Sequence, residues 1–144
     1  MTRNGLYLLA AALIFATSAL HASRTEAQTQ QQIDWCNNDN NVFSVDQRLS
    51  GCTALVKSER ASAQDRAASY GNRCWAYSDK GDPDRAITDC NEAIRLDPKL
   101  ANAYLNRGKA YSDKDDFDRA IADYDQAIKL NPKSSTAYNN LCDA

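Results

Sequence analysis

One histidine, five cysteines and an asparagine that recurs every thirty-four residues are the parts of this 144-residue chain with chemistry to offer. The histidine, His21, stands beside an apolar run near the N-terminus, so it cannot serve a Ser-His or Cys-His nucleophile pair or a histidine-containing zinc site in a processed protein. Scattered glycines match neither GxxxxGK[ST] nor GxGxxG, which leaves phosphate loops out. Asp115 and Asp116 are adjacent carboxylates, but at the start of a helical pattern they read as caps rather than as an acid and base. Cys36 and Cys52 are spaced by sixteen, Cys74 and Cys90 by sixteen again, and Cys142 stands over. No CxxC is present to make a redox pair. Asn72, Asn106 and Asn140 each carry an amide, which offers both a donor and an acceptor. Such residues bind; they do not turn over substrate. The expectation is therefore no enzyme, no cofactor and no metal.

Composition narrows the class. With 43% hydrophobic and 25% charged residues, three prolines and a net charge of −2, the chain reads as a soluble, helical globular protein. Its charges alternate in sign without a Lys/Arg cluster, which argues against nucleic acid as a partner. Arg3 precedes an apolar run from Leu6 to Leu20, short for a membrane span and right for the core of an export signal. Residues 1–27 are accordingly expected to be a cleaved signal peptide, with Thr25-Glu26-Ala27 preferred over Thr17-Ser18-Ala19 at the cleavage site, and membrane contact only during export. The mature protein would lose Arg3, Arg24, Glu26 and its histidine, and would be periplasmic or secreted. Cys36 follows "IDW" rather than small residues, which argues against lipidation.

An internal repeat organises the rest. Ala67–Leu100 and Ala101–Ser134 align without a gap at 20 identities in 34 places. Each unit holds two helical patterns. In the first, Tyr70, Cys74 and Tyr77 fall at i, i+4, i+7; in the second, Ala86, Cys90, Ala93 and Ile94 share a face. Asp82 with Pro83, and Asp116, open the second helices, while Pro98 and Pro132 close the units.

The set Tyr104, Asn106-Arg107-Gly108, Tyr111, Ala120, Tyr124, Ala127 and Pro132 resembles the tetratricopeptide repeat, as does Tyr70, Asn72-Arg73, Tyr77, Ala86, Ala93 and Pro98. The resemblance covers roughly Ala67 to Cys142. It implies an all-α, right-handed stack of helix-turn-helix repeats, an α-solenoid, whose first helices line a groove for an extended peptide. Residues 28–66 are expected to form a degenerate hairpin from Ile33 to Ser58, with "NNDNN" shortening its first helix and Ser44 capping its second. Residues 67–100 and 101–134 are full repeats, and residues 135–144 a partial third or a capping helix that packs its Tyr138 and Leu141 side inward against the second repeat. The departures from the family are Cys74 where the second unit has Gly108, and Cys90 where it has Tyr124.

In an antiparallel hairpin turning near Asp82, Cys74 and Cys90 lie equally far from the turn and face each other. Gly108 and Tyr124 hold that level in the next unit, a small residue admitting a large one. Disulfides Cys36–Cys52 and Cys74–Cys90 are expected on this register in an exported chain, with small buried thiols as the alternative. Arg73 and Arg107 stand level with Asp89 and Asp123, which predicts an ion pair within each repeat.

Asn106 falls on the opposite side of its helix from Tyr104, Gly108 and Tyr111, and asparagines at this place grip peptide backbone in some members of the family. A ladder of Asn72, Asn106 and Asn140, with Trp75, Leu105 and Lys109 beside it, is therefore the expected peptide site; bonds to neighbouring helices are the alternative use of those amides. Trp75 could be an aromatic anchor or pack beneath the next repeat. The functional expectation is a noncatalytic binder of protein or peptide. The other reading is an assembly module that self-associates through its open C-terminal face around Tyr138 and Leu141.

Overall fold

The computed structural model describes residues 26–38 and 42–144. The chain divides into two compact units, residues 1–31 and 32–144. The apolar run Leu6–Leu20, and with it nearly all of the expected leader, lies outside the described residues. Within the first unit, residues 26–31 are helical. No described helix is long and apolar enough to cross a membrane.

Seven helices and no strand occur among the described residues. They are α1 (residues 26–37), α2 (Val45–Lys57), α3 (Ala63–Asp79), α4 (Pro83–Leu96), α5 (Ala101–Ser112), α6 (Phe117–Leu130) and α7 (Ser135–Asp143). Local chemistry sets most starts. Ser44 Oγ accepts from the Gln47 amide while Gln47 Oε1 accepts from the Ser44 amide, a reciprocal cap that satisfies two otherwise orphaned donors. Ser62 and Asp65 do the same for α3. Asp82 caps α4 with Pro83 at its first position, and Asp116 caps α6. Between the helices of each repeat one residue must turn left-handed: Gly81 at φ 76° in the first and Asp115 at φ 58° in the second.

Each helix from α2 onward packs on the next, and α3 also touches α5, so consecutive hairpins of the second unit stack with their first helices side by side. Small residues hold the core. Cys74, Ala86, Cys90 and Ala110 form one buried cluster, and Tyr111, Ala120 and Tyr124 the next, with Ile87 packed against both. Close approach is built in at two glycines. A Cβ on Gly108 would stand 2.6 Å from the Tyr124 ring, and one on Gly51 2.6 Å from the Gln32 carbonyl oxygen.

Three expectations need correction. Helical residues run from 26, ahead of Ile33. Helix α3 begins at Ala63 rather than at the repeat boundary Ala67, because the Ser62 cap extends it by a turn. On α7 the inward face is Ala137, fully buried, and Leu141 one turn on, which packs against Tyr111 and Tyr124. Tyr138 is rotated off that face by one residue and remains 46% exposed.

Candidate functional site

The first helices of the stack share a groove. Asn72 and Trp75 from α3, Leu105, Asn106 and Lys109 from α5, and Asn140 from α7 line one open cavity of about 450 Å³, together with Asn37, Asn102 and Thr136. The thirty-four-residue register puts Asn72, Asn106 and Asn140 on equivalent turns, so stacking the hairpins lines the amides up along one surface.

Two of the three amides also tie helices together. Asn106 Nδ2 donates to the Gly71 carbonyl at 3.1 Å, and Asn72 Nδ2 donates to Asn37 Oδ1 at 3.4 Å. Each amide retains a further N–H and acceptor capacity at Oδ1. The bonds to neighbouring helices are therefore present, and they orient the amides within the groove. Leu105 is half-buried and packs on the Tyr111 and Tyr124 cluster. Lys109 Nζ pairs with Asp113 at 3.1 Å one turn along α5. Trp75 is half-buried, with the guanidinium carbon of Arg48 4.1 Å from its ring centroid. Arg48 Nη1 in turn donates to Asp79 at 2.6 Å.

Behind the groove the repeats are braced by paired charges. Arg73 donates twice to Asp89, at 2.6 and 2.8 Å, and Arg107 twice to Asp123, at 2.8 and 2.7 Å. Both carboxylates are buried, so these are interior forks rather than the exposed pairs that contribute little. Hydrogen bonding to Asp89 and to Asp123 holds Arg73 and Arg107 above the usual arginine range. Each arginine has a third contact in the preceding hairpin, Thr53 for Arg73 and Asn91 for Arg107, which stitches one repeat to the next. The sulfurs of Cys36 and Cys52 lie 2.11 Å apart and those of Cys74 and Cys90 2.09 Å apart, both at disulfide distance. Cys142 is free and exposed.

At the capping aspartates, hydrogen bonds from Arg85 to Asp82 and from Arg119 to Asp116 hold both carboxyls below the usual carboxylate range. Among the described residues no group of three or more His, Cys, Asp or Glu side chains is placed to hold a metal ion. What the arrangement offers is hydrogen bonding from a row of amides beside two apolar surfaces.

Asn37, Asn102 and Thr136 join the groove and Arg48 backs it, and none of the four is among the expected site residues. Asn102 stands one turn before Asn106, and Thr136 one turn before Asn140, so extending the ladder by four residues on each helix would have found both. Arg48 carries no such signal, because α2 falls outside the clear repeat.

Two sequence models of the tetratricopeptide repeat match the chain, one over residues 101–134 and one over residues 76–115. Among solved structures, the Arabidopsis OM64 TPR domain is similar at 24% identity and a TM-score of 0.67, over 84% of this chain and 93% of that one. The second TPR domain of human RPAP3, solved with the HSP70 peptide SGPTIEEVD, is similar at 23% identity and a TM-score of 0.68, over 82% of this chain and 95% of that one. The first TPR of Spaghetti (RPAP3), bound to the HSP90 peptide SRMEEVD, gives 24% identity and 0.66, over 80% and 90%. At these identities the likeness is one of fold. A search of curated proteins finds no match.

Proposed function

We propose that this chain, which tetratricopeptide repeat models match over residues 76–134, holds an extended peptide or protein segment in an exported compartment without covalent chemistry. One observation carries the reading: Asn72, Trp75, Leu105, Asn106, Lys109 and Asn140 line a single groove. An amide can pair with a peptide group whatever side chain the ligand carries, so a row of amides recognises extended backbone. Solved neighbours hold the peptides SGPTIEEVD and SRMEEVD, which supports a peptide as the class of ligand. Export rests on the apolar run Leu6–Leu20 and on two cysteine pairs at bonding distance, an arrangement that persists in oxidising compartments.

The test is isothermal titration with a blocked, uncharged dodecapeptide of alternating Ser and Thr, well below the melting temperature. Asn72→Ala and Asn140→Ala should each weaken binding by about 1 kcal/mol, roughly fivefold. Absence of binding, or binding indifferent to both substitutions, defeats the amide ladder. Nonreducing peptide maps of exported protein should join Cys36 to Cys52 and Cys74 to Cys90 and leave Cys142 unpaired; free thiols at the first four would defeat the pairing. The exposure of Tyr138 favours a second reading, self-association through α7. Sedimentation that stays monomeric with rising concentration removes it.

A further inference from the structure

We infer that the groove selects an uncharged peptide segment carrying one bulky apolar side chain, seated between Trp75 and Leu105, and that Arg48 is the positioning residue which makes Trp75 a fixed wall. The inference rests on the peptide-binding reading above and adds to it the class of ligand. Trp75 occupies the place that Lys109 holds in the second repeat, so one end of the groove is aromatic where the repeat pattern puts a cation.

Arg48 reaches from α2 and is only 4% exposed. Its Nη1 is held by Asp79, one turn beyond Trp75 on α3, and its guanidinium lies over the indole. Its Nη2 is buried with no hydrogen-bond acceptor among the described residues, which leaves the face of the ring as its counterpart. The indole is thus clamped before any ligand arrives, and little rotamer freedom is left to lose on binding. Charge argues the same way. Lys109, the cation among the lining residues, is already paired with Asp113, and Arg48 is paired with Asp79. The groove therefore offers an acidic segment no unpaired cation among these residues, while Trp75 and Leu105 offer apolar surface that a side chain can cover.

The experiment compares the blocked Ser/Thr dodecapeptide with versions bearing a single central Phe or Glu, by titration calorimetry on the oxidised protein. The Phe peptide should bind at least tenfold tighter than the parent and the Glu peptide no tighter. Trp75→Ala should shrink the Phe advantage, read as the ratio of Phe-peptide to parent affinity on the same variant, below threefold, and Trp75→Phe should restore most of it. Arg48→Met, which keeps the length and apolar stem, should reduce the Phe advantage at least threefold without changing the parent. Equal binding of parent and Phe peptides, preference for Glu, or an advantage that survives Trp75→Ala overturns the inference while the peptide groove stands. An advantage untouched by Arg48→Met overturns the positioning role. Failure of all three peptides to bind overturns the groove and this inference together.

Discussion

Gly71 and Gly108 give opposite answers to the same substitution, and the difference can be worked from the packing. Both lie inside first helices, α3 and α5, where replacing glycine by alanine gains about 1 kcal/mol of helix propensity. A Cβ at Gly71 meets only Leu100 Cδ2, at 3.5 Å, an ordinary contact. A Cβ at Gly108 meets Tyr124 Cε1 at 2.6 Å, Cδ1 at 2.8 Å and the Ala120 carbonyl oxygen at 3.2 Å. The Tyr124 ring is 2% exposed and has nowhere to swing, and the carbonyl belongs to the helix backbone. Overpacking of this kind costs about 1–3 kcal/mol. Gly71→Ala should therefore stabilise by about 0.5–1 kcal/mol, and Gly108→Ala should destabilise by about 1 kcal/mol net, a fall in Tm of roughly 4 °C. Far-UV circular dichroism during urea and thermal unfolding, on oxidised protein, measures both. Tyr124→Leu in the Gly108→Ala background should recover part of the loss, a coupling that a double-mutant cycle isolates. Gly108→Ala as stabilising as Gly71→Ala would refute the reasoning that glycine is there to admit the tyrosine.

Two further outcomes follow from the braces and caps. Asp123→Asn leaves the half-buried Arg107 without its counter-charge, though still bonded to Asn91, and should cost about 2–3 kcal/mol in urea unfolding, whereas Asp123→Leu with Arg107→Met removes both charges and should cost less. Asp82 and Asp116 are depressed by their arginine partners, so their contribution is in place above the ordinary aspartate range, near pH 4, and is lost as pH falls through the folded-state values. Stability of wild type should decline on that acidic limb, and Asp82→Asn with Asp116→Asn should flatten it in pH-dependent melts.

The repeat was plain in the sequence because stacking makes every unit solve the same packing problem. Tyr104, Gly108 and Tyr111 had to share a face for α5 to meet α6, and the same constraint recurs thirty-four residues before. Level counting from the turn placed Arg73 beside Asp89 and Arg107 beside Asp123, since an antiparallel hairpin fixes that geometry wherever its turn is known. Burial of those pairs was not legible, because it depends on the next hairpin closing over them. The extra turn of α3 is written locally, in Ser62 and Asp65, and lies ahead of the thirty-four-residue period that begins at Ala67. Arg48 was invisible for a different reason: its partner Trp75 lies on another helix and outside any shared period. Tyr138 shows the converse error. Its counterpart Tyr104 is half-buried with its hydroxyl donating to the Pro98 carbonyl, while at the end of the stack the equivalent ring stays in solvent.

The two cysteine bonds have a mechanical meaning that follows from where they are tied. Each joins the two helices of one hairpin, sixteen positions apart, and neither joins one hairpin to the next. A pull on the two ends of the chain would run through the bonds and bypass the enclosed segments, so each keeps about 55 Å of extended contour out of reach. Slack would come instead from the residues ahead of Cys36, from the linker between Cys52 and Cys74 and from everything after Cys90. The C-terminal repeat, where Gly108 and Tyr124 replace the sulfurs, would pay out along its whole length, and each bonded hairpin would keep its own ends together even after the helices around it had come apart.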